Sequence, residues 1–321
     1  MDNKTLNKNL PLVSVVVVTY NSEKTVVETL ESIKRQSYPN IELVVADDCS
    51  ADNTCEIVKK WLLHNADFFS ETSTVFSSIN TGISANLNRG ISKAQGEWIK
   101  TIAGDDLLVD NCIETFISFA KIHHNDSVFF SRVNTFSVLK GEKRIIEAKP
   151  SVDMQSYIDY FNNLNAREQF LEMLKNGVVL QSPSLFIKKC VFEQFRFPEE
   201  YKYMEDHPSW FRLTNMGVHL CMTPNISVYY RIGNSLSKRG KDSFYSRAHM
   251  LSQSLFFWNE KRSYYIQEGI SGGYDWNKKL LLKYEMVEAF TQNKKNFKTK
   301  VIRYIIEFIV NKMAKYELPK L

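Results

Sequence analysis

Residues 12–18 read LVSVVVV, a β-branched run broken only by one serine, and a similar run returns at 41–46 as IELVVA. Runs without polar alternation are what strands covered on both faces of a parallel sheet look like. Each is followed by a polar loop and then by apolar residues at helical spacing. These are Val26, Val27, Leu30 and Ile33 after the first, and Ile57, Val58, Trp61 and Leu62, within 53–64, after the second. Ser22 is placed to cap the first of these helices. The rhythm continues with a strand near 74–78, a helix over 84–94 and a strand at 97–103, EWIKTIA. Parallel strands joined by helices require right-handed crossovers. The expected fold is therefore α/β, a Rossmann-like, mostly parallel central sheet with helices on both faces.

Such a sheet has a functional edge, because ligands bind beyond the carboxyl ends of its strands. The segments TYN (19–21), DD (47–48), NTG (80–82) and GDD (104–106) each follow a strand, so all four loops open onto that edge. From about 111 the pattern loosens. A helix at 111–123, a strand at 127–133, a helical stretch at 153–176, a strand at 183–189, a helix from about 206 and a strand at 226–232 follow. Residues 240–321 contain no further βα unit and read as helices.

Composition narrows the class. Lys and Arg exceed Asp and Glu by 41 to 36, a formal charge of +5, too small an excess to indicate a nucleic-acid binder. The five cysteines are widely spaced and form no C-x-x-C, which indicates neither a disulfide framework nor a zinc cage and fits a reducing, cytoplasmic setting. The N-terminal residues lack the form of a signal peptide, and no apolar run is long enough to span a bilayer.

Asp105 and Asp106 end a mostly apolar strand, with Gly104 allowing a tight turn before them. Adjacent carboxylates raise each other's pKa unless a cation compensates. Read alone, the pair fits either a solvated turn or a handle for Mg²⁺ or Mn²⁺ whose other positions are taken by phosphate oxygens and water. A second acidic pair, Glu205–Asp206, opens the helix at 206, where Pro208 is tolerated in the first turn; Asp206 there is also an ordinary helix cap.

VSVVVVTYNSE, LVVADDCSADNT, NTGISANLNRGISKAQGEWIKTIAGDD and YMEDHPSWFRL, in this order and at these intervals, resemble the family 2 glycosyltransferases of the GT-A fold, over residues 11–237. The resemblance implies an inverting, metal-dependent transferase that moves a sugar from a UDP-sugar donor to a hydroxyl of a lipid-linked glycan in surface polysaccharide (O-antigen or capsule) synthesis. It implies a nucleobase bordered by Tyr20 and Asn21, with Glu23 near it or the ribose, and Asp48 accepting from the uracil N–H. Tyr20 is alternatively a groove-filling residue. Asp47 is read as structural, bonding loop amides, and Ser50 and Asp52 as caps of the next helix.

By the same resemblance Asn80 and Gly82 pass close to the nucleotide, and Asn86 and Asn88 are possible hydrogen-bonding groups. Leu87 stands where many relatives carry arginine, and Ala103 where the metal motif usually begins with aspartate. Asp106 is then the main metal ligand for Mn²⁺ or Mg²⁺, and Asp105 a ribose or sugar contact. Asp206 is assigned as the base, with His207 as its rival, and Glu205 as a sugar or acceptor contact. Arg231, Ser235, Ser237 and Lys238 are read either as groups that bind phosphate oxygens or as part of a mobile basic loop after the last strand, in a segment lacking the histidine relatives often have.

The expected organisation is a flexible N-terminus (1–10), a GT-A domain at 11–239 with a nucleotide-sugar half (11–110) and an acceptor half (111–239), and a helical region at 240–321. Residues 294–320 concentrate lysines around Val301, Ile302, Ile305, Ile306, Ile309 and Met313, an amphipathic pattern suited to an anionic inner-leaflet surface or to a protein partner. Two other readings compete: a non-catalytic nucleotide- or glycan-binding protein on the same fold, and a sugar-nucleotide nucleotidyltransferase. The latter needs a glycine-rich basic loop after the first strand, and TYNSEKT lacks one.

Overall fold

A computed structural model of the chain describes residues 10–139, 142–146, 154–177, 180–232 and 246–313. The expectations for residues 1–9, for Ser235, Ser237 and Lys238, and for the last residues of the basic tail lie outside that set. The chain divides into two compact units, Met1–Phe170 with Val179–Gly233, and Leu171–Val178 with Asn234–Leu321.

In the first unit, β1 (Val13–Thr19), β2 (Ile41–Asp47), β3 (Glu71–Phe76) and β4 (Trp98–Ala103) run parallel in the order β3-β2-β1-β4. Alternate residues of β1 face opposite layers. Val13, Val15 and Val17 pack with Leu30 and Ile33 of α1 (Val26–Lys34), Val58 and Trp61 of α2 (Thr54–Asn65) and Phe116 of α4 (Cys112–Ile122). Val16 faces the other layer, where α3 (Ile83–Lys93) approaches so closely that a Cβ on Gly90 would stand 2.6 Å from Val16 Cγ1. Each such fully buried aliphatic side chain contributes about 1.5–3 kcal/mol.

Beyond β4 the sheet turns mixed. Among the described residues its nine strands continue with β8 (Phe186–Lys188), antiparallel to β4, then β6 (Val128–Leu139), β9 (Leu220–Arg231) and β5 (Leu107–Leu108), while β7 (Glu142–Ile146) pairs with β6. Of the mostly parallel sheet expected, the first four strands and β6 against β9 are parallel, and the remaining pairings among the described strands are antiparallel. The helical stretch expected at 153–176 consists of two helices, α5 (Met154–Asn163) and α6 (Ala166–Asn176), and the last strand begins six residues earlier than the pattern at 226 implies.

The second unit is helical: α8 (Arg247–Phe256), α9 (Arg262–Gln267), α10 (Ser271–Thr291) and α11 (Phe297–Met313). Val287 of α10 packs with Ile306 and Val310 of α11, joined by Leu282, Met286 and Ile302. The apolar residues of α11 are thus split between two faces. Ile302, Ile306 and Val310 meet α10, whereas Phe297, Val301, Tyr304, Ile305 and Phe308 are exposed. Among the described residues no helix is long and apolar enough to cross a membrane.

Candidate active site

The parallel strands end level: Thr19 is opposite Asp47, Asp47 opposite Phe76, and Val18 opposite Ala103. Four loops leave this edge, and the first two are fastened together. Asn21 takes a left-handed conformation (φ 51°), tolerable for asparagine, and its amide donates to Ser50 Oγ at 2.7 Å while its Oδ1 accepts from Ala51 N at 2.8 Å. Glu23 Oε2 accepts from the Asn53 amide at 3.2 Å, and the Glu23 amide donates to Asp52 Oδ2 at 3.1 Å. Tyr20, next to this clamp, leaves its ring 47% exposed at the rim. It does not fill the groove between strand and helix.

Asp47 is structural, as read from the sequence: it accepts from Thr19 Oγ1 and Ser50 Oγ, both at 2.6 Å, and from the Ser50 amide at 2.8 Å. Ser50 is consequently a brace between loops and no helix cap, whereas Asp52 does bond the first turn, accepting from Thr54 N at 3.0 Å. Ser22 does not cap α1 with its hydroxyl; its carbonyl accepts from Val26 N at 2.9 Å and Thr25 occupies the cap position.

Asp48 is almost wholly buried and anchors the third loop. Its Oδ1 accepts from Thr81 N (3.0 Å), Thr81 Oγ1 (2.9 Å) and an Arg89 guanidinium nitrogen (2.6 Å), and its Oδ2 from Gly82 N (2.7 Å). Burial alone would raise its pKa, but the Thr81 and Gly82 amides and Arg89 together hold it below its ordinary value. A base N–H reaching Asp48 would share an oxygen that already accepts protein donors.

Arg89 escaped the sequence reading. It lies three residues after Asn86 on the same helix and also contacts its Oδ1 at 3.1 Å. Leu87, where relatives carry arginine, is buried. Asn86 donates to the Ala46 carbonyl at 2.9 Å and so ties the strand ends, while Asn88 brackets Phe197 through both its amide atoms. Gly82 has φ +96°, and a Cβ there would meet Lys202 Cγ at 2.6 Å and the Lys202 carbonyl at 2.8 Å. The neighbouring Asn80 carbonyl accepts from Lys202 Nζ at 3.3 Å.

The GDD turn is no solvated loop. Gly104 is required by close approach, since a Cβ would fall 2.7 Å from Thr19 Cγ2. Asp106 is 1% exposed; its Oδ1 accepts from the Arg231 amide at 2.8 Å, and its Oδ2 has no hydrogen-bond partner. Burial, and then the charge of Asp105, push its pKa up to about 8. Burial likewise raises Asp105, against the attraction of Arg231. An orphaned hard oxygen beside a second carboxylate fits Mg²⁺ or Mn²⁺, which would satisfy Oδ2 and remove the repulsion.

Two basic groups frame the turn. Arg231 donates from Nε to the Asp105 carbonyl at 2.7 Å and from a terminal nitrogen to Glu28 Oε2 at 2.8 Å, with its guanidinium 4.5 Å from the Phe136 ring centroid. These bonds hold the turn to α1 and β9. Lys100, also unforeseen, is fully buried and donates to the carbonyls of Thr101 (2.7 Å) and Pro183 (2.6 Å), and its charge offsets part of the rise at Asp106.

The second acidic pair stands on the same edge. Glu205 caps α7 (Asp206–Asn215) and Asp206 is its first residue, with its Oδ1 accepting from the His207 amide at 2.8 Å. Burial, then the charge of Asp206, lift Glu205 to about 7, against a hydrogen bond with Ser182. Ser182 opens the 3₁₀ turn Ser182–Ser184 that leads into β8, and antiparallel pairing of Phe186 with Lys100 lays that turn along the last residues of β4. Ser182 therefore connects Glu205 to the strand that delivers Asp105 and Asp106.

Residues 14–192 match the family model described as Glycosyl transferase family 2. The chain is 36% identical over 118 residues to EpsE of Bacillus subtilis, a match spanning 37% of this chain and only 41% of that protein. It is 24% identical over 227 residues to the UDP-Glc:α-D-GlcNAc-diphosphoundecaprenol β-1,3-glucosyltransferase WfaP of Escherichia coli, covering 70% of this chain and 78% of WfaP. The crystal structure of S. aureus TarS residues 1–349 in complex with UDP superposes with a TM-score of 0.55 at 17% identity, over 96% of this chain and 95% of that one, a likeness of fold.

Proposed function

The chain belongs to glycosyl transferase family 2 and has the GT-A fold, and we propose that it transfers a sugar, with inversion, from a UDP-sugar to a hydroxyl of a lipid-linked glycan acceptor. The observation carrying this reading is the Asp105–Asp106 pair, with Asp106 buried and its Oδ2 unpartnered, on the sheet edge that also receives Glu205–Asp206. The donor and acceptor classes are supported by what WfaP and TarS are recorded to act on or bind.

In the proposed reaction the acceptor oxygen attacks the anomeric carbon from the face opposite the diphosphate. The new C–O bond forms as the bond to the β-phosphate breaks, and the hydroxyl proton passes to Asp206. Tyr20 offers a ring for the base to stack on, worth about 1–3 kcal/mol, with Asn21 and Glu23 shaping the rim and Asn80 and Gly82 the opposite wall. Asp105 bonds ribose or sugar. Glu205, protonated up to about pH 7, donates to a sugar or acceptor hydroxyl. Mn²⁺ or Mg²⁺ held by Asp106 would supply Lewis-acid stabilisation of the leaving UDP. Arg231 positions Asp105 and Asp106 through the bonds described.

The exposed aromatic and aliphatic stripe of α11 lies on a helix that also carries Lys298 and Lys300 and follows Lys294 and Lys295. We assign it to an anionic membrane surface, where a lipid-linked acceptor would be met.

The test is UDP release by the purified chain from a panel of UDP-sugars, with and without a diphospholipid-linked glycan, in Mn²⁺ and in excess chelator. Transfer giving a product of inverted anomeric configuration, lost in chelator and reduced about 10²–10⁴-fold by Asp206→Asn, is the expected result. Thermal stabilisation by UDP without release from any donor would favour the non-catalytic reading, and His207→Ala inactivation with Asp206→Asn active would move the base to His207.

A further inference from the structure

At the end of the sheet opposite the GDD turn, where β6 and β9 begin, four polar side chains converge that the transfer reaction does not use. His123 ends α4, and the Asp126 amide donates to its carbonyl at 2.9 Å, folding the chain so that the two side chains face one another. His219 precedes β9, and Cys221, two residues on and on the same face, is fully buried. One ligand atom from each of His123, Asp126 and Cys221 lies within 4.8 Å of the others.

The finer distances carry the argument. His123 Nδ1 is 3.7 Å from Cys221 Sγ and 3.8 Å from Asp126 Oδ2. Tetrahedral zinc, with Zn–S about 2.3 Å and Zn–N or Zn–O about 2.0 Å, separates its ligand atoms by roughly 3.3–3.6 Å. The two separations made by His123 Nδ1 are therefore close to the edges of a zinc tetrahedron, and the third, between Cys221 and Asp126, lies within 4.8 Å. The Asp126 carboxylate is held by its other oxygen, Oδ1, 2.7 Å from His219 Nδ1, the arrangement by which an outer residue orients a metal-binding carboxylate. The His123 ring is fixed in turn against Phe119, with centroids 4.2 Å apart.

We propose that His123, Asp126 and Cys221 bind a zinc-type divalent cation, with His219 positioning Asp126. A thiolate and an imidazole select zinc over Mg²⁺ or Mn²⁺, so this site and the carboxylates at the other edge discriminate between cations. Binding releases the Cys221 thiol proton to solvent, and the fourth position goes to water from an adjoining cavity of about 370 Å³ that Asp126 and His219 line. The cation would pin the end of α4 to the start of β9. No local motif announces it, because the ligands come from segments about a hundred residues apart and share no C-x-x-C or H-x-x-H spacing.

Co²⁺ titration of the full, chelator-stripped chain tests the site independently of activity. One equivalent is expected to produce sulfur-to-cobalt charge-transfer absorption with the visible bands of a tetrahedral centre. Zn²⁺ should displace it, Asp106→Asn should retain it, and Cys221→Ser should abolish the charge-transfer band. If Cys221→Ser does not fold, His123→Gln serves, with affinity for Co²⁺ expected to fall at least tenfold. Absence of the band at saturating Co²⁺, its persistence in Cys221→Ser, its loss in Asp106→Asn or unchanged affinity in His123→Gln overturns the proposal.

Discussion

Replacing Glu205 by glutamine should change the pH dependence of stability in a calculable way. The half-buried carboxyl is lifted from an ordinary value of 4.5 to about 7, first by loss of solvent around it and then by Asp206. The native state therefore binds more protons than the unfolded chain between these two values, and stability falls as pH rises through that window. At about 1.4 kcal/mol per unit, the ionised side chain costs the fold roughly 3 kcal/mol once pH exceeds 7. Most of that, about 2–3 kcal/mol, accrues between pH 5 and pH 8. Glutamine keeps the shape and a partner for Ser182 but has no proton to lose. Urea denaturation of wild type and Glu205→Gln at pH 5 and pH 8, followed by the fluorescence of Trp210 and its neighbours, should show the variant gaining that amount on wild type across the interval. A stability difference that is the same at both pH values would refute the reasoning, because it would mean Glu205 is already ionised, or stays protonated, throughout.

Other substitutions probe the remaining edge and the helical unit. Gly82→Ala forces a side chain onto φ +96° and into Lys202, and should lower the unfolding free energy by about 3 kcal/mol in chemical denaturation. Arg89→Leu leaves the buried Asp48 without its cation and should cost about 2 kcal/mol at neutral pH; because the partner depresses Asp48, acid unfolding of the variant should begin at a higher pH than in wild type. The pair Tyr304→Ser with Phe308→Ser removes two exposed rings from α11 and should reduce co-sedimentation with anionic phosphatidylglycerol vesicles by roughly 10²-fold without altering circular dichroism.

What the sequence disclosed follows from what each signal depends on. β1 and β2 were legible because β-branched residues without alternation mean burial on both faces, and the four loops followed from the rule for parallel strands. β9 was read short because Pro224 and Asn225 interrupt its apolar pattern, yet a register shift against β6 accommodates the interruption. The break between α5 and α6 was readable and overlooked: Asn165 Oδ1 accepts from the Glu168 amide at 3.0 Å while Glu168 Oε2 accepts from the Asn165 amide at 2.8 Å, a capping box spelled N-x-x-E. Arg89 and Lys100 were missed for a different reason. Their meaning lies in Asp48 and Pro183, 41 and 83 residues away, and no local spacing encodes such a partner. The same holds for Asp48, whose engagement with Thr81 and Gly82 of the next loop cannot be inferred from the motif that contains it.

The missing side chain at position 82 has one more implication. Because the Lys202 main chain rests directly on that glycine and its ammonium reaches back to the Asn80 carbonyl, the loop after β3 and the segment that leads into Glu205–Asp206 are in direct contact. Under the function proposed above, an occupant of the loop after β3 would press, through Lys202, on the chain four residues before Asp206, and binding of donor ahead of acceptor is the kinetic order expected of that arrangement.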